Sequence, residues 1–237
     1  MTKYQEIADN IAQSIRNGEY PDKLPTEADL INRYQAGRNT IRRAIDVVYR
    51  SGLLRRVQGS GFYVNHMPAT SNTIINLVTR ADVAMHNKHQ HLTSHVITFD
   101  KIKAGADLAR SLDVSKSSEL YRVVRLRYLH AALYCLEEAY FTLKAVPFLS
   151  PEAVNHSIFD FLHDAYQIRI SESENLVRLA MLTAEQAAVM KQPEGRPVLA
   201  LDQTNYYGKG VPFNYSTSYY VYPDLGFYSR SFPVTAG

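Results

Sequence analysis

At 237 residues, with 46% hydrophobic and 21% charged side chains, the chain is long enough for two domains and excludes a disordered or fibrous class. One cysteine, Cys135, excludes an internal disulfide, and no apolar run approaches the ~20 residues that a membrane-spanning helix needs. The net charge of +3 is uneven: residues 1–65 hold ten Lys/Arg against seven Asp/Glu, whereas the remainder holds sixteen of each.

Ile7, Ile11 and Ile15 recur every four residues and predict a first helix over about 4–17, stopped by Gly18. That amphipathic pattern follows Met1 directly, so no secretory segment is expected and a cytoplasmic location is. Pro21 and Pro25 keep the connection extended. Thr26 as cap, with Asp29 three residues on, predicts a second helix of two turns that buries Leu30, Ile31 and Tyr34. Gln35-Ala36-Gly37 then makes a tight turn, with glycine supplying the conformational freedom. A third helix is expected from Arg38 to Ser51, with Ile41, Ala44, Ile45 and Val48 inward and Arg38, Asn39, Arg42, Asp46 and Arg50 mainly outward. Leu53 to Val64 reads as a hairpin around Gln58-Gly59-Ser60-Gly61. A basic helix after a glycine turn, followed by a glycine-tipped hairpin, is the pattern of a winged helix-turn-helix that reads double-stranded DNA. Its arginines can bond guanine O6 and N7, Asn39 suits adenine, and Arg55 and Arg56 can meet phosphates.

Four segments carry a resemblance: Tyr4-Gln5-Glu6-Ile7, Leu24-Pro25-Thr26-Glu27-Ala28-Asp29-Leu30, Arg38-Asn39-Thr40-Ile41-Arg42-Arg43-Ala44 and Gln58-Gly59-Ser60-Gly61-Phe62-Tyr63-Val64. In order and spacing they resemble the DNA-binding domain of the GntR family. The resemblance implies Arg38 and Arg42 as the leading base readers. It also implies Asn39, Thr40 and Arg43 at bases or phosphates, and Gln58, Gly59 and Ser60 at the wing tip. Where that family usually has Val-Ser before the first arginine, this chain has Ala36-Gly37, so a capping or phosphate-touching hydroxyl is missing.

His66 to Thr73 reads as a linker, giving a domain at 1–65, a linker at 66–73 and a second domain at 74–237. Alternation in the second domain predicts strands near 93–103, 119–130, 133–143, 171–182, 198–207 and 212–222, with helices at 105–112, 158–166 and 184–191. In the strand from Glu119 to His130, Tyr121, Val123, Arg125, Arg127 and Leu129 share one face. Two arginines roughly 7 Å apart on a largely apolar face need an anion or a carboxylate. Structural salt bridges and a phosphate clamp both satisfy them. Ser157, with Asp160 three residues on, caps a helix whose free N–H groups can complete an anion site.

Arg125-x-Arg127, Glu137-Glu138-Ala139-Tyr140, Ser157-Ile158-Phe159 and Pro212-Phe213-Asn214-Tyr215-Ser216 with Tyr220 resemble the UTRA effector domain and the HutC branch of the same family. The resemblance implies an α+β chain: the winged helix-turn-helix plus a chorismate-lyase-like, mostly antiparallel sheet with flanking helices. It implies Ser94, Arg125, Arg127 and Ser157 around an effector phosphate, with Glu137 and Tyr220 on the ligand body. Phe159 and Asn214 stand where Tyr and Glu are common among binders of amino-sugar phosphates, which points to a neutral sugar phosphate. A homodimeric repressor on a pseudo-palindromic operator follows from the family. An enzyme with a lyase-like domain fused to a DNA-binding module is the alternative, against which no nucleophile, base and metal set is visible. His86, His89, His91 and His95 lie in polar, irregular sequence with no nearby acidic ligand, so neither a metal nor a cofactor is expected. Glu137 and Glu138 point to opposite faces and form no dyad.

Overall fold

The computed structural model describes residues 2–65, 73–77, 92–129, 131–223 and 225–229. Their contacts divide the chain into two compact units, one built on the N-terminal segment and one spanning the six strands described below.

The first unit contains α1 (Lys3–Arg16), α2 (Glu27–Tyr34), α3 (Arg38–Arg50), β1 (Leu54–Val57) and β2 (Gly61–Val64). Ile7, Ala8 and Ile11 of α1 pack with Leu30 of α2, Ile41, Ala44, Ile45 and Val48 of α3, and Leu54 of β1. Full burial of each large aliphatic side chain contributes about 1.5–3 kcal/mol, so this cluster holds three short helices that would be marginal alone. Thr26 caps α2 through a reciprocal box: its hydroxyl accepts from the Asp29 N–H, and its own N–H donates to the Asp29 carboxylate at 3.0 Å. The β1–β2 hairpin gains a third short segment, because Leu24 N–H donates to Phe62 O and Val64 N–H to Asp22 O.

The turn between α2 and α3 differs from expectation. The left-handed residue is Gln35, at φ 46°, and it closes α2 as its C-cap. Gly37 instead has φ −63° and ψ 152° and is the N-cap of α3, which receives no side-chain capping bond. Glycine is tolerated at an N-cap at a loss of only a few tenths of a kcal/mol relative to serine, and a Cβ at Gly37 would meet nothing within 4 Å. Gly37→Ser is therefore expected to stabilise the first unit by a few tenths of a kcal/mol. Thermal unfolding should show a rise of about 1–2 °C.

The second unit is built on a six-stranded, wholly antiparallel sheet. Its strands are β4 (Leu92–Lys103), β5 (Glu119–Leu129), β6 (Ala132–Thr142), β7 (Ile170–Met181), β8 (Pro197–Tyr207) and β9 (Val211–Tyr220), in the order β4-β5-β6-β9-β8-β7. The expected strands and helices are present, with ends shifted by a residue or two. Helices cover both faces. On one, α5 (Pro151–Asn155) and α6 (Ile158–Tyr166) bury Val154, Ile158 and Leu162 against Val123, Ala139 and Phe141. On the other, α7 (Ala184–Met190) buries Ala187 and Met190 against Leu126, Leu136 and Ala200, and α4 (Gly105–Ser111) packs near Leu120 and Tyr140. The short α5 was not expected. A two-stranded ribbon of β3 (Thr73–Asn76) and β10 (Leu225–Tyr228), which apart from Leu225 belongs to the first unit, was not expected either, so Thr73, read as the last linker residue, begins a strand. The rest of the linker lies outside the described residues.

Candidate functional site

In the first unit, the buried stripe of α3 sets what its other side presents. Arg38, Asn39, Arg42 and Arg43 are exposed and Thr40 is half-buried. Arg38 and Arg43 make no ion pair with any described residue. Arg42 is held from the preceding helix: its Nε donates to both carboxylate oxygens of Glu27 at 3.1 and 2.9 Å. Arg50 pairs with Asp46 one turn back, at 2.8 Å. At the hairpin tip Gln58 and Gly59 are exposed, and Gly59 at φ 74° keeps the turn free of a side chain. Ser60 is hydrogen-bonded to the Tyr63 hydroxyl at 2.7 Å. Arg55 and Lys23 stack over the Tyr63 ring, at 4.9 and 5.3 Å from its centroid. The surface thus offers free cations, one oriented arginine and a narrow tip, a set suited to base edges and phosphates.

In the second unit, strand register assembles residues far apart in sequence. Ser94 lies across from Arg127, Arg127 from Cys135, and Cys135 from Tyr220. One step along, Val96 lies across from Arg125, Arg125 from Glu137, and Glu137 from Ser218. Because alternate residues share a face, Ser94, Arg125, Arg127, Glu137 and Tyr220 occupy a single side of the sheet. Arg125 also reaches the segment before α6, donating from Nη1 to the carbonyls of Val154 at 2.9 Å and His156 at 3.3 Å. Ser157, the next residue, caps α6 by accepting from the Asp160 N–H at 3.3 Å. The capped helix start therefore stands beside the arginine pair.

The charges at this place do not cancel. Glu137 Oε2 accepts from Arg125 Nε at 2.8 Å, from Arg125 Nη2, and from Arg127 Nη1 at 3.3 Å. The three side chains are only 4%, 15% and 17% exposed, in the order Arg125, Arg127, Glu137. Among the described residues, two guanidiniums and one carboxylate leave one positive charge, and Arg127 Nε is buried with no hydrogen-bond partner. Burial works to raise the Glu137 carboxyl, but Arg125 and then Arg127 overcome it and hold the group well below the usual carboxylate range. A depressed acid contributes its stability above the unfolded-state value and loses it as pH falls through the folded-state one. Acid titration should show this unit fully stabilised above about pH 5 and weakening progressively below pH 4. Glu137→Gln should flatten that dependence.

The other expected ligand residues are placed differently. Asn214 lies on the same side but across from Phe141, four residues along β6 from Glu137 and so about 13 Å away. Its amide is already used, donating to Tyr140 O at 3.0 Å while its oxygen accepts from Asn205 at 2.8 Å. The Phe159 ring packs edge-on against Phe141 and Phe213, with centroids 6.2 and 6.4 Å away. Ser218, across from Glu137, escaped sequence reasoning. Its signal was the alternation Asn214, Ser216, Ser218, Tyr220 along β9, which places polar groups on one face. Gln203 and Asn205 belong to the same buried polar row, joined to each other at 3.2 Å. Burial pushes the Cys135 thiol up to about 12, so it is a packed group and no nucleophile. His86, His89 and His91 lie outside the described residues. Among the described residues no group of three or more His, Cys, Asp or Glu is placed to hold a metal ion.

Comparison with known proteins agrees with both units. Residues 3–64 match the model of bacterial regulatory proteins of the gntR family, and residues 87–223 match the UTRA domain. The chain is 28% identical over 229 residues, 96% of each chain, to the HTH-type transcriptional regulator YydK of Bacillus subtilis. The crystal structure of YydK superposes with a TM-score of 0.81, covering 98% of this chain and 100% of that one. This chain is also 28% identical over 226 residues to the mannosyl-D-glycerate transport/metabolism system repressor MngR of Escherichia coli, covering 94% and 93% of the two chains. The histidine utilization repressor of Pseudomonas putida is 24% identical over 209 residues, 87% of this chain and 83% of the relative.

Proposed function

This chain belongs to the GntR-family transcriptional regulators that carry a UTRA effector-binding domain, and from that premise we propose that it is a homodimeric repressor controlled by a small phosphorylated metabolite, a sugar phosphate. It is a regulator and not an enzyme, as its named relatives are. Arg38 and Arg42 read bases, Asn39, Thr40 and Arg43 assist, and Gln58, Gly59 and Ser60 follow the minor groove or backbone. The effector phosphate takes the surplus positive charge at Arg125 and Arg127, beside Ser94 and the α6 start at Ser157, while Glu137, Ser218 and Tyr220 face its body.

One observation carries the anionic effector: two buried guanidiniums share one carboxylate and leave a buried Arg127 N–H unpartnered. An uncompensated buried cation is costly, and a phosphate relieves it with charge-assisted bonds. The sugar component is supported by the likeness to MngR, the repressor of a mannosyl-D-glycerate transport/metabolism system. Dimer formation is supported by β7, an edge strand that exposes Leu176, Leu179 and Met181.

Gel-shift titration with DNA from upstream of its own gene tests the first half of the proposal. Saturable binding that weakens steeply with salt is expected. Binding no tighter than to unrelated DNA would contradict it. Sedimentation of Leu179→Arg beside the unaltered chain tests the dimer, with a shift toward monomer expected.

A further inference from the structure

The opposite face of the same sheet also carries a cavity. It measures about 350 Å³ and lies between β4, β5 and β6 and the first turns of α7. That volume falls at the small end of the range for ligand pockets. Its walls include Arg122 and Val124 of β5, Leu136 and Glu138 of β6, and Gln186 and Val189 of α7. Arg125, Arg127 and Glu137 take no part in it, because neighbouring residues on a strand project to opposite faces.

The charges on these walls are biased. Arg122 is already neutralised, donating from Nε and Nη2 to the two Asp100 oxygens at 2.9 and 2.6 Å. Glu138 has no cation within ion-pair distance among the described residues, and its one hydrogen bond comes from the Gln186 amide at 3.3 Å. Glu185 adds a further carboxylate at the rim. Most of the wall is polar, with Thr98, Tyr140 and Thr183 beside these groups, and Val124, Leu136, Val189 and the 40%-exposed Ile97 supply an apolar portion. The Arg122 guanidinium on the same wall acts on Glu138 only from beyond ion-pair distance and is held by Asp100, so a half-buried carboxylate in a mainly polar cavity, with aliphatic side chains on part of its wall, suits a positively charged head on a small body.

We propose that this cavity binds a small organic cation, a primary ammonium on an apolar body, with Glu138 as its counter-ion. The Glu138 carboxylate accepts the ammonium hydrogens, Gln186 holds that carboxylate in place, and Ile97, Val124 and Val189 enclose the body. The site is independent of the phosphate site proposed above.

Calorimetric or NMR titration of the full chain with benzylamine, alongside benzyl alcohol as its neutral counterpart, tests this. Benzylamine should bind saturably and at least about tenfold more tightly than the alcohol, the difference that one charge-assisted bond supplies. Glu138→Gln, which keeps the volume and the bond to Gln186, should remove that preference. Val189→Trp, which fills the cavity from a half-buried helix position, should abolish binding by a route that leaves Glu138 untouched. Arg127→Ala should leave benzylamine binding unchanged. Absence of saturable binding, equal binding of amine and alcohol, an unaltered preference in Glu138→Gln, or loss of binding in Arg127→Ala would each overturn the proposal.

Discussion

Replacing Arg125 with alanine is expected to destabilise the second unit by about 3–5 kcal/mol, the cost of removing one partner from a buried ion pair. The Arg125 side chain is only 4% exposed and supplies two of the three bonds to Glu137. It also occupies the carbonyls of Val154 and His156. Its loss leaves Glu137 with a single 3.3 Å bond to Arg127, and two main-chain acceptors lose their donor. Arg127→Ala should behave differently. The Arg125–Glu137 pair then remains neutral and intact, and the unpartnered Nε disappears with the side chain, so the expected cost is about 1–2 kcal/mol. Chemical denaturation of the two variants should show this asymmetry. Both should lose phosphate binding, because each removes the surplus charge. Stability and ligand binding thus separate in Arg127→Ala, whereas they fall together in Arg125→Ala.

Arg38→Ala should weaken operator binding by about 1–3 kcal/mol per half-site, the value of a bidentate arginine–guanine contact. A dimer on two half-sites loses about twice that, or roughly 30-fold to beyond 10⁴-fold in affinity. Specificity should relax at one base pair in each half-site. Arg42→Ala is expected to act similarly, with a further feature. Glu27 holds the Arg42 guanidinium through Nε, leaving the terminal nitrogens to present to a base. Glu27→Gln should therefore lower affinity for the operator more than for unrelated DNA. Arg50 is the control: it is 76% exposed and paired with Asp46, and its removal should change stability by less than about 0.5 kcal/mol. Gel-shift titration against the operator and single-base variants reads the Arg38, Arg42 and Glu27 variants, and chemical denaturation reads the Arg50 control.

Much of this arrangement is legible in the residues themselves, for identifiable reasons. Thr26 with Asp29 and Ser157 with Asp160 mark helix starts because both partners lie within one turn. The alternation in β5 reports a sheet with one mixed face, since side chains alternate strictly along a strand. What depends on pairing between distant segments is harder to see. Glu137 is read from resemblance as a ligand contact, but only the register of β5 against β6 places it between the two arginines. Ser218 joins it through β9, which arrives some eighty residues later. The β3–β10 ribbon pairs Thr73–Asn76 with Leu225–Tyr228, two four-residue strands whose partners no local pattern identifies. Gln35 was masked by Gly37: a glycine is the expected left-handed residue, yet the chain turns at the polar residue that ends α2. The cavity beneath α7 had no local signature, because its walls come from three strands and a helix.

An anion bound at Arg125 and Arg127 is expected to change operator binding. The most direct test is a titration of the DNA-bound protein with hexose 6-phosphates, disaccharide phosphates and their unphosphorylated parents, in the unaltered chain and in Arg127→Ala. At least one phosphorylated sugar should change DNA affinity in the unaltered chain, its parent should not, and Arg127→Ala should keep its DNA affinity but lose the response. A response to unphosphorylated sugars alone, or a full response in Arg127→Ala, would contradict it.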